Sequence, residues 1–297
     1  MELIRNKYHN TELLNEYFSL QKEMTAIVFG QESKGKRIWD VYNYLSNLND
    51  KKGGVATNQL KEFEKDCAFV SNTIAATLSG CRGERRAFKS LDTIKTKKMI
   101  LKNVELDFDG HKTEIDAVVL TKKGAIIVEV KNTSRNVVIS ASGNLKRQSV
   151  DGHYVTDCPL GLKMNDKEYV LRRALEKSDY QRVPIKSVVV FTNSEIVVDN
   201  QNEFIKSCSL SELPHVIEKM MNSEAGNYCM EEIKNMAEAV NKSRVISSYS
   251  DSKVLEKIKS NFEEIMFLIS TAPENKSIFS RIKNFFGFAK KVAAAMF

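Results

Sequence analysis

Two acids and a lysine stand inside an otherwise apolar stretch of this chain. The stretch reads Glu114-Ile115-Asp116-Ala117-Val118-Val119-Leu120, then Thr121-Lys122-Lys123-Gly124, then Ala125-Ile126-Ile127-Val128-Glu129-Val130-Lys131. Two strand-like runs flank a short glycine-containing turn, which is the signature of a hairpin. Side chains alternate across a strand, so Asp116 shares a face with Val118 and Leu120, and Glu129 shares one with Ile127 and Lys131. A two-residue loop at Lys122-Lys123 sets Asp116 opposite Glu129. A loop at Lys123-Gly124 sets it opposite Lys131. Either register brings all three polar side chains to one face. Facing carboxylates in a core-forming hairpin are unfavourable unless something neutralises them. Opposed strand side chains lie about 4.5–5.5 Å apart at Cβ, a separation at which two carboxylates share a hard cation such as Mg²⁺. Such an ion acidifies bound water and offsets charge on a phosphate. Lys131 then aims an ammonium at the same spot, to orient water or stabilise developing charge. The same D…ExK pattern also fits an ordinary ion pair on a half-exposed sheet face.

The elements that position these residues follow from hydrophobic periodicity. Glu84 to Thr93 reads as a helix with Ala87, Phe88 and Leu91 on one side. Strands are expected at Met99–Leu106, Thr113–Leu120 and Ala125–Val130, with a short one at Val137–Ser140. A helix is expected over Asn165–Lys177. Ser187–Thr192 reads as a strand buried on both faces. Ser209–Met221 reads as a strand end, a cap and a helix. This order predicts an α/β (α+β) layer structure, a mixed sheet flanked by helices.

Residues 1–80 read as three helical stretches. The first carries Leu13, Leu14, Tyr17, Phe18, Leu20, Met24 and Ile27. The second runs from Ile38 to Leu48, with Trp39 expected in its core. The third carries Leu60, Phe63, Cys67, Val70 and Ile74. A change of texture after Gly80 places a core domain at 81–220, with a helical extension at 221–272. In the 273–297 tail, Ile278, Ile282, Phe285, Phe286, Ala289, Val292 and Met296 form one stripe, beside Arg281, Lys283, Lys290 and Lys291 and no acid. A basic amphipathic helix of this kind docks on its own chain, on a protein partner or in a membrane interface.

Composition narrows the partners. Lys and Arg outnumber Asp and Glu by 45 to 38, a formal charge of +7. That excess permits an anionic partner such as nucleic acid without requiring one. The five cysteines are widely spaced and form no CxxC pair, which argues against a zinc knuckle or ribbon and against a disulfide framework. No apolar run follows Met1–Lys7, and none reaches the ~18 residues of a membrane span, so a cytoplasmic protein without a leader is expected.

Three segments in order, Gly83-Glu84-Arg85-Arg86-Ala87-Phe88, Glu114–Leu120 and Gly124–Asn132, resemble the NERD (nuclease-related domain) family of the PD-(D/E)XK superfamily. Val188–Thr192 and Ser209-Leu210-Ser211-Glu212-Leu213 resemble that family's last strand and helix. The resemblance covers roughly residues 81–220. It implies a restriction-endonuclease-like fold and a Mg²⁺- or Mn²⁺-dependent nuclease. Glu84, Asp116 and Glu129 would be its metal ligands and Lys131 its catalytic lysine. It further implies a nucleic-acid substrate, DNA by preference, in DNA processing or bacterial defence, and a homodimer where both strands are cut. The family's tryptophan and Asn-Pro-x-x-Gln helix start are replaced by Leu145 and by Asn165-Asp166-Lys167-Glu168-Tyr169. Lys146, Arg147, Arg172 and Arg173 are candidates for phosphate contacts. His111, His153 and His215 are scattered. The competing expectation is a catalytically silent binding module working through its helical arm and basic tail.

Overall fold

A computed structural model describes residues 8–222, 226–245 and 252–272. The chain forms two compact units, and the division falls between Ala76 and Thr77, inside a helix. Of the described residues, 77–222 and 226–245 form one unit, and 8–76 with 252–272 form the other.

The second unit is helical. It holds α1 (Tyr8–Phe29), α2 (Ile38–Lys51), the first part of α3 (Thr57–Asp92) and α7 (Ser252–Thr271). Met24, Ile38, Val41, Leu45, Phe63, Ile258 and Phe262 are among its buried side chains. Trp39, expected in this core, is only half-buried and meets Tyr42 edge-on at 5.9 Å. The stripe that turns inward is Ile38, Val41, Leu45 and Asn49, from which Trp39 is rotated away. Asp66, buried in this unit, is held by Lys257 at 3.0 Å and Asn261 at 3.2 Å.

The first unit is built on a five-stranded sheet, ordered β1-β2-β3-β7-β9. Its strands are β1 (Lys98–Phe108), β2 (His111–Thr121), β3 (Gly124–Lys131), β7 (Ile185–Phe191) and β9 (Ser207–Ser209). β1, β2 and β3 form an antiparallel meander, whereas β7 and β9 run parallel to β3. Helices cover both faces: α4 (Leu160–Glu176) and α6 (Met230–Lys242) pack on one, and the end of α3 with α5 (Leu213–Asn222) on the other. Strand alternation explains why β7 is apolar throughout. Val189 and Phe191 enter the core under α4, while Val188 and Val190 enter the core under α3.

A smaller mixed sheet, ordered β6-β5-β4-β8, branches from the chain after β3. It comprises β4 (Val137–Ile139), β5 (Leu145–Gln148), β6 (Tyr154–Cys158) and β8 (Val198–Asn200). Only β4 was expected from the sequence. The other three strands span three to five residues each and are largely polar, so they carry no readable alternation.

Three expectations are corrected. The third helix and the Glu84 helix are one continuous α3 of 36 residues, which runs through Gly80 and Gly83 without a break. Glycine weakens a helix by about 1 kcal/mol but does not end it where tertiary packing holds it. Helix α4 begins at Leu160, five residues before the expected Asn165, with Pro159 at its N-cap. Beyond the end of α5, the helical extension expected over 221–272 holds two helices among the described residues, α6 (Met230–Lys242) and α7, which belong to different units. The amphipathic tail at 273–297 lies outside the described residues.

Candidate active site

The hairpin register is the first of the two that the sequence allows. Thr121 pairs with Gly124 and Ala117 with Val128, so the loop is Lys122-Lys123 and Asp116 stands level with Glu129. Gly124 is required here: its φ is +140°, and a Cβ would lie 2.4 Å from the carbonyl oxygen of Pro184.

The ladder between β2 and β3 ends at Ala117–Val128, and the next polar link is a side chain. The Val130 N–H donates to Asp116 Oδ2 at 2.6 Å. Asp116 thus takes over the backbone role at the point where the two strands part, which fixes its carboxylate at their fork.

Glu129 is 5 % exposed and bonded at both oxygens. Lys131 Nζ donates to Oε1 at 2.7 Å, and Lys167 Nζ donates to Oε2. The two lysines differ in access. The Lys131 side chain keeps 25 % of its surface, whereas that of Lys167 keeps 7 %. Lys131 therefore faces both Glu129 and solvent, while Lys167 is sealed beneath the site.

The charges act on one another. Burial pushes the Asp116 carboxyl up, the negative charge of Glu129 adds to this, Glu84 contributes in the same sense, and the group arrives at about 7. Lys167 and the Val130 N–H oppose the rise. For Glu129, burial is again the largest influence and acts upward, but the charges of Lys167 and Lys131 together hold the carboxyl below its ordinary value. For Lys131, burial pulls downward, and the attraction of Glu129 and then Asp116 outweighs it, so the ammonium is stabilised.

Glu84 comes from α3, on the other side of the sheet. Its neighbour Gly83 is buried against the strand ends: a Cβ there would lie 2.6 Å from Asn132 Cβ and 3.0 Å from Thr192 Oγ1. The helix is tied down at the same level. Asn132 Nδ2 donates to the Ser79 carbonyl at 2.8 Å, Thr192 Oγ1 donates to Asn132 Oδ1 at 2.9 Å, and Arg86 donates to the Thr192 carbonyl at 3.3 Å. Close approach at Gly83 brings the next residue within electrostatic reach of Asp116.

The four basic candidates for phosphate contacts are placed differently. Arg147 pairs with Asp157 at 2.7 Å on the smaller sheet, next to Lys146. Arg172 pairs with Glu168 at 3.2 Å, and Arg173 with Glu176 at 2.8 Å and Asp109 at 3.5 Å. The three arginines thus hold acids of their own neighbourhood. His111 meets Asp166 at 3.0 Å on the surface.

Residues 79–192 match the family model described as NERD, nuclease-related domain. Residues 79–192 carry a nuclease-related domain. The matched stretch contains Glu84, Asp116, Glu129 and Lys131, and also Lys167. Neither the curated proteins nor the solved structures compared with the chain match it.

Lys167 of the NERD domain was not foreseen. It occupies the buried stripe of α4, Leu160, Met164, Lys167, Val170, Leu171 and Ala174. A lysine at core spacing on a helix is a readable signal, but starting the helix at Asn165 removes the two apolar residues that reveal the stripe.

The donor chemistry fits a hard divalent cation. Among the described residues no cluster of three or more His, Cys, Asp and Glu side chains forms a ready metal cage. Mg²⁺ does not need one, since it is commonly held by one or two carboxylates, water and substrate phosphate. Asp116 and Glu129 supply two carboxylates whose mutual repulsion a cation would relieve, and Glu84 lies within electrostatic reach of Asp116.

Proposed function

We propose that the NERD domain hydrolyses phosphodiester bonds in nucleic acid, with Asp116, Glu129 and Glu84 as ligands of Mg²⁺ or Mn²⁺ and Lys131 as the catalytic lysine. DNA is the proposed substrate. The observation that carries this reading is the convergence of Asp116, Glu129 and Lys131 at the fork of β2 and β3, where Glu129 is buried and Lys131 opens to solvent.

When bound, the cation lowers the pKa of a coordinated water and neutralises charge on the phosphate. The chain's own groups do the rest. The Val130 N–H and the strand fork fix Asp116 in one orientation, so no reorganisation is needed when charge develops. Glu129, whose ionised form its two lysines favour, lies at the floor of the site. Lys131 is held protonated by Glu129 and Asp116, and its partly exposed ammonium can hold the attacking water or a non-bridging phosphate oxygen. In-line displacement at phosphorus needs mainly such positioning and charge stabilisation.

Purified protein incubated with linear, circular and single-stranded DNA and with RNA tests this reading. Cleavage is expected with Mg²⁺ or Mn²⁺ and is abolished by a chelator. Failure to cut every substrate with either metal would overturn the proposal and direct attention to a binding role.

A further inference from the structure

Arg147, Arg172 and Arg173 hold acids, but another set of cations does not. Arg82, Arg85, Arg86 and Lys89 on α3, and Arg135 beyond β3, are all exposed. Among the described residues none of them forms an ion pair, and Glu195, in the segment after β7, pairs with none of them.

Helical geometry, about 100° per residue, sorts those on α3. Ser79 and Gly83 meet Asn132: the Ser79 carbonyl accepts from Asn132 Nδ2 at 2.8 Å, and a Cβ at Gly83 would lie 2.6 Å from Asn132 Cβ. Arg82 and Arg86 neighbour that contact on the helix surface, and Arg86 reaches across it to the Thr192 carbonyl at 3.3 Å. Glu84 turns off Gly83 to the opposite side. Arg85 lies about half a turn from Gly83. Lys89 lies further down the sheet, beside Ser90, whose hydroxyl donates to the Leu210 carbonyl at 3.3 Å. Arg135 comes from the segment that leaves β3. Asn193 Nδ2, just past β7, donates to the Thr133 carbonyl of that segment at 3.0 Å. Arg135 Nη1 rests on the Gln148 carbonyl at 3.4 Å, which leaves further guanidinium N–H groups for other acceptors. Arg82, Arg86 and Arg135 therefore gather at the carboxyl ends of the parallel strands β3 and β7, the edge that also carries Glu129 and Lys131. Open α/β sheets take their ligands at such an edge.

Resting on the nuclease reading above, we propose that Arg82, Arg86 and Arg135 form a phosphate-binding rim that lays the backbone of duplex DNA across the ends of β3 and β7. A guanidinium matches a phosphate with paired N–H donors. An arginine already bonded to an acid must give up that partner to bind phosphate, whereas an exposed, unpaired one does not. Release of the DNA's own counterions then drives binding, without reading sequence.

Fluorescence anisotropy of a labelled duplex, titrated with the full chain at several salt concentrations and with divalent metal chelated, tests the rim apart from cleavage. Arg82→Ala and Arg135→Ala are each expected to weaken binding and to lower the slope of log affinity against log salt by about 0.9. Arg82→Lys and Arg135→Lys, which keep the charge, are expected to retain the wild-type slope, as is Lys89→Ala, a control on the same helix. A folded double variant, Arg82→Ala with Arg135→Ala, that binds with wild-type affinity and slope would overturn the rim. So would a Lys89→Ala protein that loses as much as Arg82→Ala. Cleavage by wild type is read alongside. A wild type that cuts DNA while both alanine variants bind unchanged overturns the rim alone. One that binds through the rim yet cuts nothing with either metal overturns the nuclease reading alone, and one that neither binds nor cuts overturns both.

Discussion

Ionising Asp116 sets a second negative charge beside Glu129 in a buried site that already holds one. Its folded value of about 7 lies above the ordinary 3.8 of an aspartate. Between those values the folded protein holds a proton that the unfolded chain has released. The stability Asp116 contributes is thus fully present below its unfolded value and is lost as pH rises through about 7. Metal-free wild type is therefore expected to lose stability from about pH 4 to pH 8 relative to Asp116→Asn, whose amide oxygen can still accept from Val130. The variant should melt several degrees higher at pH 8, with no advantage near pH 3. Thermal unfolding across pH checks this, and identical pH profiles would contradict it. Lys131→Ala should bind Mn²⁺ but cut about 100-fold more slowly or worse, as expected for removing one charge-stabilising donor. Mn²⁺ titration beside single-turnover cleavage separates the two effects. At this scale the hairpin was readable because strand alternation is strict and two acids interrupt apolar runs. Lys167 was hidden because its meaning depends on where α4 begins, and Glu84 was visible only through the family resemblance.

Helix α3 shows how an element places a residue that its own sequence does not single out. Gly83 lets the helix touch the ends of β3 and β7, while Gly80, three residues earlier, has only the Glu84 side chain near its Cβ position, at 4.0 Å. The two glycines should respond oppositely to alanine. Gly83→Ala forces the helix off Asn132 and Thr192, with an expected loss of about 1–3 kcal/mol of stability and a fall in cleavage as Glu84 moves. Gly80→Ala should be neutral or stabilising by up to about 1 kcal/mol. Chemical denaturation of the two variants measures both signs, and equal effects would contradict the packing role of Gly83. Strands β1, β2, β3 and β7 were legible because each carries an apolar run near turn residues, whereas β9, only three residues long, was met only at its end, Ser209. Strands β5, β6 and β8 were not, because short polar segments pair through backbone hydrogen bonds that leave no mark on side-chain pattern. Gly80 read as a boundary because glycine marks loops more often than helix interiors, and here tertiary packing decided otherwise.

Across the whole molecule, the charge excess is mild, and the three arginines expected to meet phosphates each pair with a nearby acid. Affinity for nucleic acid should then rest on few phosphate contacts. The slope of log affinity against log salt is expected to correspond to a handful of released counterions, at about 0.9 per contact on duplex DNA. A fluorescence anisotropy titration at several salt concentrations checks this. Among the described residues no helix is long and apolar enough to cross a membrane. The helical second unit and the basic residues of the tail carry none of the four residues proposed for catalysis, so the central claim stands or falls on the hairpin and on α3. Its most direct test is metal-dependent cleavage by wild type beside folded Asp116→Asn and Lys131→Ala proteins, on the substrate that wild type cuts best. The account predicts cleavage by wild type and its loss in both variants. Cleavage by either variant at the wild-type rate would contradict it.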